Sequence, residues 1–114
     1  MAEITQEAYT DLREYIQSNW DFISLKDNTD QEVLRVDSND SRVTSTIEGD
    51  KVKLTIVVRG TDQDITLPST FAKSEIYKVA TGGSPLSIEP FTAFTMESEN
   101  DELTVNHYIE VPKA

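Results

Sequence analysis

The period of hydrophobic and polar positions changes once along this chain, at Trp20. Before it, Ile4, Ala8, Leu12, Tyr15, Ile16 and Trp20 recur three and four residues apart, the spacing that lines side chains along one stripe of an α-helix. The spacing predicts one amphipathic helix over 4–20, packed on the core through that stripe. Thr5 is its expected N-cap, because a hydroxyl there can accept from an orphan N–H of the first turn. Glu7 and Asp11 lie toward the positive end of the helix dipole, where acids are favoured. Trp20, at the junction, is expected to anchor the helix to the sheet.

Beyond Trp20 the pattern alternates. DFISLKD, EVLRV, RVTSTIE and KVKLTIVVR read as strands, separated by polar turns at DNTDQ, DSNDS and Glu48-Gly49-Asp50. In the last of these strands Val52, Leu54, Ile56 and Val58 alternate with Lys51, Lys53 and Arg59, which predicts a central position in a sheet. A short strand is expected at ITLP, ended by Pro68, which cannot donate to a ladder. A brief helical turn is expected in PSTFAKS and a strand in SEIYKVA. SIEPFTAFTME and ELTVNHYIEVP, joined by SENDE, read as a hairpin. The fold class is α+β and mainly β: an N-terminal amphipathic helix, then an antiparallel β-sandwich or barrel of seven to eight short strands over 21–112, in a single domain spanning 1–114. No second long helical pattern exists to supply parallel crossovers.

Charge narrows the choice of partners. The 114 residues carry 21 acids against 10 bases, a net charge of −11, which disfavours nucleic acid and anionic membrane, since both are bound by displacing counterions with Lys and Arg. The chain has no cysteine, so disulfides, zinc–thiolate sites and thiol catalysis are excluded. The start MAEITQEAY lacks the basic and apolar regions of a signal peptide, and LTIVV is far too short to span a bilayer. The expected product is soluble, and either intracellular or assembled from the cytoplasm.

Candidate chemistry is sparse. Asp37, Asn39, Ser41 and Glu48 fall at the first, third, fifth and twelfth places of a calcium loop. Its sixth place, which needs Gly for a sharp turn, is Arg42, and the flanks have strand period. The stretch therefore reads as a DSND turn, whose Asp and Asn side chains bond their own backbone, and then a strand. A weak calcium site of turn carboxylates, unlike an EF-hand, stays open. His107, the one histidine, is in phase with Leu103, Val105, Ile109 and Val111 on the inward face, and is expected to be hydrogen-bonded within the sheet. No G-x-S-x-G elbow supports a catalytic role for it. Gly82 and Gly83 have no phosphate-loop pattern after them; they are expected to supply positive φ in a loop or to keep it mobile for docking. Catalytic residues, metal ligands and cofactors are not expected.

The segments AYTDLREYIQSNW, EVLRVDSNDSRV and FTAFTMESENDELTVNHYIEVP combine one short helix with Thr- and Asp-rich strands, an acidic surface and no cysteine. In this the chain resembles small virion-associated proteins of tailed bacteriophages and prophages. The resemblance implies a non-enzymatic decoration, tail or connector component, built to bind other copies of itself or other virion proteins. Candidate partner-binding residues are the acids Glu97, Glu99, Asp101 and Glu102, the glycines Gly82 and Gly83, and Phe91. Phe91 and Phe94, three apart, would face opposite sides of a straight strand, leaving one outward. Two alternatives stay open: an acidic module that inhibits or regulates a basic partner, of the anti-defence type, and a small carbohydrate-binding β-domain, which would need exposed aromatics lining one face.

Overall fold

The computed structural model describes residues 2–111. One helix, α1 (Gln6–Asn19), precedes seven strands: β1 (Phe22–Lys26), β2 (Glu32–Val36), β3 (Val43–Glu48), β4 (Lys51–Arg59), β5 (Ser69–Tyr77), β6 (Ser87–Met96) and β7 (Glu102–Glu110). They form two antiparallel sheets, ordered β2-β1-β5-β6 and β3-β4-β7. The fold is a sandwich of these sheets with the helix against β3 and β4. The expected end of the β region, at Pro112, lies outside the described residues.

Alternation accounts for most of this. Ile23 and Leu25 of β1, Val52, Leu54, Ile56 and Val58 of β4, and Val105, His107 and Ile109 of β7 all bury inward. Strand β4 is central in its sheet, in unbroken register with β7 from Lys51 opposite Glu110 to Arg59 opposite Glu102. The hydroxyl of Thr5 accepts from the Ala8 N–H at 3.2 Å, so the expected cap is in place. Thr5→Ala is expected to cost about 1 kcal/mol in urea unfolding.

The helix is turned from its expected orientation. It buries Tyr9, Arg13 and Ile16, with Trp20 partly buried against the core, while Ile4, Leu12 and Tyr15 are exposed. The apolar arc is wider than one contact face: Tyr9 and Ile16 extend it past the Leu12–Tyr15 side, and the sandwich covers that extension. Gln17 fixes the choice by donating to the Ser45 carbonyl at 3.2 Å. Arg13 Nη1 and Ser45 Oγ are buried without a hydrogen-bond partner among the described residues.

Three strand expectations are corrected. ITLP forms no strand, because the Ile65 N–H closes a turn on the Asp62 carbonyl and its side chain goes into the core. PSTFAKS holds no helical turn: residues 69–74 open β5, where Thr70 and Phe71 pair with Thr95 and Phe94. The expected hairpin is instead an arch. Strand β6 pairs with β5 and β7 with β4, so residues 97–101 carry the chain from one sheet to the other and the two apolar faces meet across the core. Pairing in β6 also shifts register between Phe71 and Lys73, with Phe94 and Pro90 as their partners. The extra residues bring Phe91 and Phe94 both against the core, correcting the expectation that one points outward.

Candidate functional site

The would-be calcium loop is a turn organised by an arginine. Asn39 N–H donates to Asp37 Oδ1 at 3.0 Å, and Arg42 N–H and Nε both donate to Asp40 Oδ1 at 2.9 Å. The rest of the guanidinium reaches Asp40 Oδ2 at 2.9 Å, Asp62 Oδ2 at 3.2 Å and both Asp64 oxygens at 2.8 Å. Arg42 thus stands among three carboxylates, in the place a bound cation would take. An open cavity of about 590 Å³ adjoins it, bordered also by Arg59 and Gln63. The hydrogen bond from Arg42 holds the Asp40 carboxyl down at about 2, against an ordinary 3.8, and lowers Asp64 likewise. Among the described residues no group of three or more His, Cys, Asp or Glu is arranged to hold a metal ion. Arg42→Gln should cost about 1–3 kcal/mol by leaving the carboxylates without their counter-charge. Millimolar calcium should not shift the melting of the native chain; paired thermal melts check both outcomes.

His107 faces inward as its phase predicts, but its bonds cross the core. Its Nδ1 meets Ser74 Oγ of β5 at 2.7 Å and its Nε2 meets Ser87 Oγ of β6 at 2.8 Å. The ring thus ties one sheet to the other, where a bond within its own sheet was expected. Burial lowers its pKa to about 4, so it is neutral near pH 7. Both nitrogens are engaged by hydroxyls, and the described hydrogen bonds give it no carboxylate partner to orient it as in a triad.

On the outer face of the four-stranded sheet, Glu75 is almost wholly buried, 2% exposed. Its Oε1 accepts from Lys26 Nζ at 2.7 Å and from the Tyr77 hydroxyl at 2.6 Å; Lys73 reaches Oε2 at 3.3 Å and also pairs with Asp30. Burial pushes the Glu75 carboxyl up, and the bonds from Lys26, Tyr77 and Lys73 overcome it, leaving the pKa below the ordinary value. Arg35 lies over the Tyr77 ring at 3.6 Å, bonds Glu32 at 2.8 Å, and donates to the Val79 and Gly82 carbonyls at 3.1 and 2.8 Å. This face is closed by its own side chains and by the loop folded across it. Sequence reading missed both this network and the Arg42 cluster. The one signal was that Ser24 and Lys26 alternate with Ile23 and Leu25, marking an outer face.

The expected partner-binding residues scatter. Gly82 and Gly83 have φ of +64° and +76°, the positive values expected, and Arg35 tethers their loop. Asp101 is a turn former: its Oδ2 accepts from the Glu97 and Ser98 N–H groups at 2.8 and 3.1 Å. Glu102 pairs with Arg59 at 3.0 Å. Only Glu97 and Glu99 of that acidic run are left exposed without an ion pair among the described residues. A Cβ on Gly60 would overlap the Ser98 carbonyl, so the run is held close against the end of β4. Phe91 lines a small cleft of about 190 Å³ between the edge strands β6 and β7, with Pro90 and Leu103. The expected residues thus form no single surface.

No protein-family model, curated protein or solved structure matches this chain. Among the described residues no helix is long and apolar enough to cross a membrane.

Proposed function

We propose that the protein is a non-enzymatic structural or assembly component of a tailed-phage or prophage particle, working through protein–protein contacts. The observation that supports this reading is where the chain leaves its surface unsatisfied. Its polar clusters are consumed internally: His107 by two serines, Arg42 by three aspartates, Glu75 by two lysines and a tyrosine. Its uncovered features include large apolar side chains: Leu12 and Tyr15 on α1, and Ile88 on the edge strand β6. Such residues gain by being covered, and a scaffold with committed polar groups and open apolar ones suits association better than catalysis.

A second reading, an acidic module covering a basic surface on its target, draws on Glu7, Asp11 and Glu14 of the helix, which are exposed and make no ion pair among the described residues. The carbohydrate-binding alternative gains no comparable support. The exposed tyrosines Tyr15 and Tyr108 sit on different elements, and no aromatic-lined face forms among the described residues.

Recovery of tagged protein from its native lysate, with washes at low and high salt and mass-spectrometric identification, tests the choice. Capsid, tail or connector proteins retained at high salt are the expected result. A host enzyme released by salt would overturn the assembly reading in favour of the acidic module, whose attraction would be screened.

A further inference from the structure

The geometry points to the outer face of α1 as a docking surface for a protein partner that presents an apolar face flanked by Lys or Arg. This inference deepens the assembly reading and rests on it.

At about 3.6 residues per turn, Ala8, Leu12 and Tyr15 share one side of the helix. Ile4 precedes them, and Ile4, Leu12 and Tyr15 are 49%, 42% and 51% exposed. The opposite flank of the apolar arc is seated on β3 and β4, so no other part of the described chain covers this side. Glu7, Asp11 and Glu14 run beside it at spacings of four and three residues, all exposed. None of the three takes part in an ion pair among the described residues, and they repel one another along the helix. The one base of the helix, Arg13, is buried.

That charge distribution selects the occupant. A second copy docked helix to helix would bring two acidic stripes together, on chains each of net charge −11. A partner face with basic flanks would cover the apolar side chains and relieve the repulsion in one step. Charge steers such an encounter, while Leu12 and Tyr15 hold it once formed.

The probe is a synthetic amphipathic helix of Leu and Lys, titrated into the isotope-labelled full chain and followed by NMR, with a Leu and Glu helix as control. Shifts should concentrate on residues 7–15 with the Lys peptide only. Leu12→Ser with Tyr15→Ser, both at exposed positions, should weaken binding at least tenfold while leaving the fold intact by circular dichroism. Charge reversal at Glu7, Asp11 and Glu14 to Lys should transfer preference to the Glu peptide. Shifts centred on the 97–102 turn, or undiminished binding by the double variant, would overturn the inference. So would self-association in sedimentation that the double variant abolishes, which would make the occupant a second copy. Peptide docking on α1 with no virion protein recovered from lysate would remove the assembly reading alone. Virion proteins captured equally well by the double variant would remove this inference alone.

Discussion

Glu75→Ala is expected to destabilise the protein by about 3–5 kcal/mol, the cost of removing one partner from a buried ion pair. In a domain of this size that is roughly a 10–20 °C fall in melting temperature. The cost comes less from the lost bonds than from the groups they leave behind. Lys26 is mostly shielded, and the Tyr77 hydroxyl is buried with no other acceptor among the described residues; without Glu75 both are desolvated donors. Lys73 is spared, because Asp30 still pairs with it. Glu75→Gln keeps an acceptor for Tyr77 and should cost about half as much. Replacing the pair together, Glu75→Leu with Lys26→Met, should recover part of the loss, because no charge is then left behind, while the Tyr77 hydroxyl, still without its acceptor, keeps a cost of about 1–3 kcal/mol. Urea unfolding of the four proteins measures the set. A single-variant cost below about 1 kcal/mol would show that water already reaches the cluster. The pH dependence has a definite sign: the folded pKa of Glu75 is lowered, so its stabilisation is present above the ordinary carboxylate range and lost as pH falls through the folded value.

How far this was legible in the sequence depended on the range of the interaction. Thr5 and Ala8 are three residues apart, and Asp37 and Asn39 two, so the helix cap and the Asx turn could be read locally. Alternation put His107 inward and β4 at the centre of its sheet. Pairings across the fold carry no such mark. Ser74 and Ser87 lie 33 and 20 residues from His107, and Asp62 and Asp64 lie 20 and 22 from Arg42; no local period joins them. The helix shows a subtler limit. Its apolar positions span two adjoining faces, and the moment of such an arc does not say which half the sandwich takes. The expected burial of Leu12 and Tyr15 falls on the half that the sandwich leaves open, and their exposure is the main feature of the candidate interaction surface. The 97–101 connection was ambiguous for a related reason. Two amphipathic strands joined by a short polar loop fit side by side in one sheet or face to face across two, and the buried register of β7 on β4, with Val105, His107 and Ile109 opposite Ile56, Leu54 and Val52, favours the second.

The histidine yields the second large effect. Acidification from about pH 6.5 to about pH 4 should remove about 3 kcal/mol of stability through His107 alone, at 1.36 kcal/mol per pH unit of separation between the unfolded and folded pKa values. The folded value, about 4, lies below the ordinary 6.5. Across that interval the unfolded chain takes up a proton that the folded chain refuses, so the loss begins near 6.5 and is complete below 4. Hydrogen bonding does not impose the refusal, because both serine oxygens could accept from a doubly protonated ring. Burial imposes it: the side chain is 0% exposed, and an imidazolium there would lie between two apolar sheet faces with no carboxylate among its described hydrogen-bond partners. Asp40, held at about 2 by Arg42, gives way only at lower pH, so the histidine dominates the first part of an acid titration. His107→Gln should therefore be less stable than the native chain at pH 7, by about 1–3 kcal/mol, since an amide cannot span both serines as the ring does. The variant should lose less on acidification, and its deficit should shrink or vanish near pH 4.5. Urea midpoints for both proteins at pH 7, 5.5 and 4.5 measure the difference, in which the common effect of the other carboxylates cancels. Parallel lines for the two proteins would mean that the ring is protonated in the folded state, and that the bridge between the sheets opens to water.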